Sequence, residues 1–287
     1  MSMTTTSNET QRTGFITSLF RKSPNLHAVA PALGSAKRFP HGAFQFQVRV
    51  SRGSAYELQA SPDMKNWKSI HSETAVGETV EYLDTEAFNF SFRFYRGLSG
   101  GAASKSILGY ASIALPPGFS MIANPFNAPS NRVGDLFPNM PDGTMLSKFD
   151  TSLFRLTNNS VKDGKWTNPA EAFVPGEGAI VFNPTTEFRT LNFVGDVTQG
   201  RLTNPIPAGM SIRSSLVPQP GQLNTDLSFP IAEGDVVHVF DRDQQKYVIY
   251  NFSANGWGGN PPVIGVGESF WIGKKHPGNW VTTLAVA

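Results

Sequence analysis

The chain has 287 residues, a net charge of +2 and no cysteine, and only 16% of its residues are charged. The missing cysteine excludes disulfides, thiolate-bound zinc, iron–sulfur clusters and a cysteine nucleophile. A balance this close to neutral argues against nucleic acid as the principal partner. With 27 glycines, 21 prolines and 22 phenylalanines, the composition predicts an all-β protein of short strands. The length leaves room for two or three small domains. No run of about 18 apolar residues occurs, so no segment is expected to span a bilayer.

Residues 1–40 read as an N-terminal arm. In "TGFITSLFRK", Phe15, Ile16, Leu19 and Phe20 fall on one side of a short helix, with Arg12, Arg21 and Lys22 around it. The basic residues Arg12, Arg21, Lys22, Lys37 and Arg38 stand against a single acid, Glu9. Such a segment has too little apolar surface to fold alone. Two readings stand side by side. One is a disordered tail; the other is an assembly arm, in which Phe15, Ile16, Leu19, Phe20, Arg21 and Lys22 clasp a neighbouring subunit. The first 24 residues lack the basic start and apolar core of a secretory signal, so export would need an unconventional route or a leader not seen in this sequence.

Residues 41–114 read as a β-sandwich. "AFQFQVRV" alternates, with Phe44, Phe46, Val48 and Val50 on one face, and "FNFSFRFY" does the same with Phe88, Phe90, Phe92 and Phe94. A side-chain period of two predicts that the two phenylalanine rows face each other across one core, with Phe46, Phe92 and Trp67 sharing it. "AYELQAS", "NWKSI" and "TVEYLD" lie between them. About six short strands at close spacing point to a fibronectin- or immunoglobulin-like sandwich.

Within this stretch Tyr56, Leu58, Ser61, Asp63, Met64 and Trp67 are followed by Arg93, Phe94, Tyr95 and Arg96. The pattern, over residues 43–98, resembles a module common in large exported proteins of environmental bacteria. The "PPGFSMIANPF … PGEG" repeats downstream also resemble C-terminal regions of such proteins. The resemblance implies a β-sandwich in a surface or secreted setting and brings no catalytic residue with it.

The remainder repeats itself. "LPPGFSMIANPF" from Leu115 returns as "IPAGMSIRSSLV" from Ile206, an offset of 91. The same offset pairs Phe149-Asp150 with Phe240-Asp241, Trp166 with Trp257, and Gly176-Glu177 with Gly267-Glu268; Phe137-Pro138 matches Phe229-Pro230 at 92. A period this long marks a duplicated domain rather than a solenoid repeat. The expectation is two tandem copies of a small antiparallel β-domain, at 115–205 and 206–287. "DVVHVF", "KYVIYNF" and "ESFWIG" supply strands in the second copy, bounded by turn-forming stretches.

Chemistry is sparse. His27, His41, His71, His238 and His276 show no metal-binding spacing, and no nucleophile elbow or P-loop is present. "GWGGNPP" leads into proline, not a helix. Asp241 and Asp243 stand two apart, either holding calcium on a turn or forming an ordinary hairpin loop. The repeated Gly-Glu reads as a turn entering a central strand. Trp166, Trp257 and Trp280 lie in or beside Gly/Asn-rich loops as candidate stacking platforms for a sugar ring or partner; for Trp166 and Trp257 the alternative is a plug at the equivalent end of each domain core. No catalytic, cofactor-binding or metal-ligating set is assigned, and no cofactor is expected.

The expected function is therefore that of a non-enzymatic structural or surface protein, a subunit of a particle, filament or cell-surface assembly. Its partners would be further copies or other subunits, in an extracellular or surface setting, with nucleic acid touched only weakly through the basic arm. The alternative is a carbohydrate- or partner-binding module using the loop tryptophans.

Overall fold

A computed structural model describes Met1 and residues 29–285 of the protein. Phe15, Ile16, Leu19, Phe20, Arg21 and Lys22 of the arm lie outside the described residues. What is described is nearly all β, and every pairing between its strands is antiparallel. The first module holds β1 (Ala32–Arg38), β2 (Phe44–Arg49), β3 (Ala55–Ser61), β4 (Lys68–Thr74), β5 (Thr79–Asp84), β6 (Phe92–Ser99) and β7 (Ala102–Ala103). The first copy of the repeat holds β8 (Leu108–Leu115), β9 (Gly118–Ile122), the short helix α1 (Val133–Leu136), β10 (Met145–Asp150), β11 (Arg155–Lys162), β12 (Lys165–Trp166), β13 (Ala179–Asn183) and β14 (Arg189–Asp196). The second holds β15 (Gly200–Ile206), β16 (Gly209–Arg213), β17 (Gly221–Gln222), β18 (Val236–Asp241), β19 (Lys246–Ser253), β20 (Gly256–Trp257), β21 (Val263–Ile264), β22 (Phe270–Lys274) and β23 (Gly278–Leu284).

In the first module a β1-β2-β5 sheet faces a sheet ordered β14-β8-β6-β3-β4. The alternation of β2 buries Phe44, Phe46 and Val48 completely. Across the core they meet Tyr56, Leu58, Ala60, Tyr95, Leu108 and Tyr110. Asp84 is buried at one end, where its Oδ2 accepts hydrogen bonds from Arg93 and from the Tyr95 hydroxyl, both at 2.7 Å. β1 begins inside the stretch read as arm. Its sequence, ALGSAKR, has little strand character, and its pairing with β2 is interrupted between Gly34 and Lys37, beside Ser35 at φ 42°.

The second phenylalanine row departs from expectation. Thr85–Asn89 is a 3-10 turn N-capped by Asp84, which leaves Phe88 62% exposed. The strand starts only at Phe92, and there Phe92 and Phe94 point away from Phe46. Trp67 goes with them, so Phe92 and Trp67 pack on a different core from Phe46. The reason is that this sheet is covered on both faces. Both parities of β6 then carry rings, Phe92 and Phe94 on one and Tyr95 on the other, and alternation no longer says which row faces which core.

The second core lies between the other face of that sheet and a five-stranded sheet ordered β12-β11-β10-β13-β9. Phe94, Ile113, Leu115, Leu191 and Phe193 meet Ile122, Leu146, Val161 and Val181 there. Copy two repeats this plan, with a five-stranded sheet β16-β22-β18-β19-β20 and a two-stranded ribbon β15·β23. The ribbon corresponds to β8·β14. Leu115 pairs with Arg189 and Gly109 with Gly195, as Ile206 pairs with Gly278 and Gly200 with Leu284. The repeated unit thus takes in a strand upstream of residue 115.

That strand was invisible because its outward residues diverged. Tyr110 is buried in the first module's core, whereas its counterpart at the 91-residue offset, Arg201, is exposed, as are Thr203 and Pro205. β6 extends the ribbon of copy one, while among the described residues no further strand pairs with the ribbon of copy two.

The copies meet about an approximate two-fold axis. Ala123 N–H donates to Gly267 O at 2.8 Å, and Ser214 N–H donates to Gly176 O at 3.1 Å. Single bridges join Ile122 to Glu268 and Glu177 to Arg213. Every residue in one contact is 91 positions from its counterpart in the other, so residue i touches j' and j touches i', as in an isologous dimer. Gly178 faces its own counterpart Ser269 near this axis.

Candidate functional site: an aromatic strip across the pseudo-dyad

The strip originates in "FWIGK". Phe270 and Ile272 are fully buried in the core of copy two, so the two-residue period turns Trp271 to the opposite face of the sheet. There its Nε1 donates to the Tyr247 hydroxyl at 3.2 Å, and Phe149 of copy one meets its ring edge-on at 4.9 Å. Phe154 continues the run at 5.3 Å from Phe149. On the other side Tyr247 meets Phe240 at 5.0 Å and His238 at 6.2 Å.

The result is a connected set of six rings that crosses the junction between the copies. Several members are open to water, with Phe154 67%, Ile249 56% and Tyr247 40% exposed. Ile249 belongs because it pairs with His238 across β18 and β19 and lies on the face of Tyr247. Burial lowers the His238 pKa, favouring the neutral ring. Burial also raises the Tyr247 phenol, against the opposing effect of the Trp271 hydrogen bond. A surface of this chemistry can stack on, or pack against, an uncharged partner. It offers no nucleophile with an adjacent base.

The three tryptophans singled out by sequence lie elsewhere. Trp280 is corrected outright: it sits within β23, is buried, and packs edge-on against Phe229, with Nε1 donating to Leu227 O at 2.7 Å. It presents no face for stacking. Trp166 is also buried, its Nε1 donating to Phe137 O at 3.0 Å. Trp257 is half-buried, donating to Asn224 Oδ1 at 3.1 Å and meeting Phe252 at 5.0 Å. Trp271 was the tryptophan missed. Its signal was present, because copy one has Ile180 at that position and a partly exposed tryptophan there has no counterpart to preserve.

The acidic positions turn out to shape turns. Asp241 Oδ1 accepts from the N–H groups of Asp243 and Gln244 at 3.0 and 2.9 Å. Asp150, its counterpart, accepts from Ser152 and Leu153 at 2.8 and 3.0 Å. Both carboxylates cap the same hairpin, the Asx-turn pattern. Among the described residues no three His, Asp or Glu side chains converge as a metal site. Glu177 pairs with Lys148 at 2.9 Å and Glu268 pairs with Arg242, each beside a glycine at positive φ.

The motif residues of the first module are likewise engaged locally. Asp63 Oδ1 accepts from Lys65 and Asn66 N–H at 2.9 and 2.7 Å, and from Ser61 Oγ at 2.9 Å. The bond from the Asn66 backbone leads in holding its carboxyl well below the usual range. Trp67 donates to Met64 O at 3.1 Å and lies under the Arg96 guanidinium at 4.5 Å. No family model matches the chain, and no curated protein matches it either.

Proposed function

We propose that the protein is a non-enzymatic structural or surface protein that works as a subunit of a larger assembly, contacting further copies or other subunits. The observation that carries this reading is the way its parts are fused. β6 pairs with β8, so the first module and copy one share a sheet, and copy one is joined to copy two through the pseudo-dyad. Three units locked together this way suit a rigid building block, and the aromatic strip is the apolar surface left for a partner. A surface or secreted setting is what the sequence resemblance implies.

Size-exclusion chromatography with light scattering tests the reading. The expected result is a discrete oligomer that Ile249→Lys shifts to smaller mass. A monomer unaffected by that substitution would overturn it. The second reading, a carbohydrate-binding protein, is favoured by the Trp271–Tyr247 pair. It predicts a monomer that binds a glycan array and loses binding in Trp271→Ala.

A further inference from the structure

The two copies serve as internal controls for each other at the end of each sheet. In copy one the space beside β10 and β11 is filled from within. Lys148 Nζ reaches Glu177 at 2.9 Å and Ala172 O at 3.0 Å, while Asn159 Nδ2 reaches Glu171 at 2.8 Å and Asn168 O at 2.7 Å. In copy two the counterparts of Lys148, Thr157 and Asn159 are Val239, Val248 and Tyr250. No equivalent network forms among them, and the space is an open cleft of about 530 Å³.

Copy one supplies the opposite wall through Pro116 and Phe188. Phe188 belongs to the turn between β13 and β14, residues 184–188, which is longer than the corresponding turn at 275–277. It is 69% exposed, an expensive position for phenylalanine unless something covers it. The rim carries Asp241, Asp243 and Glu268 against Arg242 alone. Arg242 is already committed to Glu268 and to Ala114 O at 3.1 Å. Three carboxylates against one guanidinium leave the rim at a formal charge of −2.

An apolar floor with an acidic rim fits a segment whose apolar side chains are followed by cations. The chain contains one: Phe15, Ile16, Leu19 and Phe20, then Arg21 and Lys22. We propose that the cleft of copy two receives the segment 15–22 of a second copy of this chain. The inference rests on the assembly reading and gives that assembly its direction, arm of one subunit into copy two of the next. Apolar residues would supply contact area, and the two cations would complement the rim.

The absence of cysteine from the sequence makes the test direct. Full-length Leu19→Cys and Val248→Cys variants, each with a single thiol, are mixed under mild oxidation. The expected product is a disulfide-linked pair of the two variants. It should form faster than a pair of Leu19→Cys with Thr283→Cys, a control on the outer ribbon. Adding Asp241→Asn and Asp243→Asn to the Val248→Cys chain should slow trapping by roughly an order of magnitude. Trapping should also fall as salt is raised. Trapping no faster than the control, in a protein that still forms discrete oligomers, overturns the cleft assignment and leaves the assembly reading standing. A full-length monomer with no trapping overturns both.

Discussion

Gly178→Ala probes the pseudo-dyad at its tightest point. A Cβ built on Gly178 would lie 2.4 Å from Ile212 Cγ2 and 2.5 Å from Ser269 Cβ. Carbon atoms in ordinary contact sit about 3.5–4.0 Å apart, so either the two copies separate by roughly an ångström or side chains leave their rotamers. Gly178 does not occupy the left-handed region, and alanine carries no backbone strain there. The expected effect is therefore the overpacking cost alone, about 1–3 kcal/mol. For a protein of this size that corresponds to a melting point lower by roughly 2–10 °C. Urea unfolding followed by tryptophan fluorescence, with thermal melts alongside, measures it. Gly259→Ala is the control, since no atom lies within 4 Å of its added Cβ, and it should be neutral or slightly stabilising. Adding Ser269→Gly to Gly178→Ala should recover part of the loss by removing the second contact. If Gly178→Ala is as stable as the control, or Ser269→Gly recovers nothing, the copies do not meet as described.

Trp280→Ala should cost about 3–5 kcal/mol in urea unfolding, because it empties a buried indole site and strips Leu227 O of its donor; Trp257→Ala, at a half-buried position, should cost distinctly less. Asp84→Ala should cost about 3–5 kcal/mol by leaving the Arg93 guanidinium buried without its partner, and adding Arg93→Leu should restore part of that. Asp63 has a folded-state pKa depressed below its unfolded value by hydrogen bonds to the carboxylate. Its stabilisation is therefore fully present above about pH 4 and lost as the pH falls below that. Asp63→Asn should flatten the acid limb of a stability–pH curve, and an unchanged limb would show that these bonds do not persist in solution.

Much of the fold was legible because most of the duplicated residues are structural. Asp150 and Asp241 cap equivalent turns, and Gly176 and Gly267 hold equivalent positive φ values; neither role tolerates drift, so the 91-residue period survived. The β8/β15 pair kept its register but lost its resemblance, because one copy faces a core and the other faces water. In β6 the code failed for a different reason. This strand is covered on both faces and carries rings on each, Phe92 and Phe94 on one and Tyr95 on the other, so a row of rings does not by itself say which core it enters. Trp280 was misplaced because neighbouring glycine and asparagine suggested a loop, whereas pairing of β23 with β15 makes that stretch a strand. Trp271 was legible in principle. The alternation of buried Phe270 and Ile272 fixes its side, but no sequence pattern shows that Phe149 of the other copy lies over it.

The pseudo-dyad also alters what mutation can do at the junction. Between two identical chains, any substitution near the axis enters twice, and a bulky residue must fit against itself. Here one side can carry glycine and the other serine, as at Gly178 and Ser269, and one side isoleucine and the other tryptophan, as at Ile180 and Trp271. Tying the halves into one polypeptide lets a large ring stand in one copy while its counterpart in the other is smaller. The strip takes its tryptophan, and the acidic cleft its floor, from the copy whose residues differ in this way.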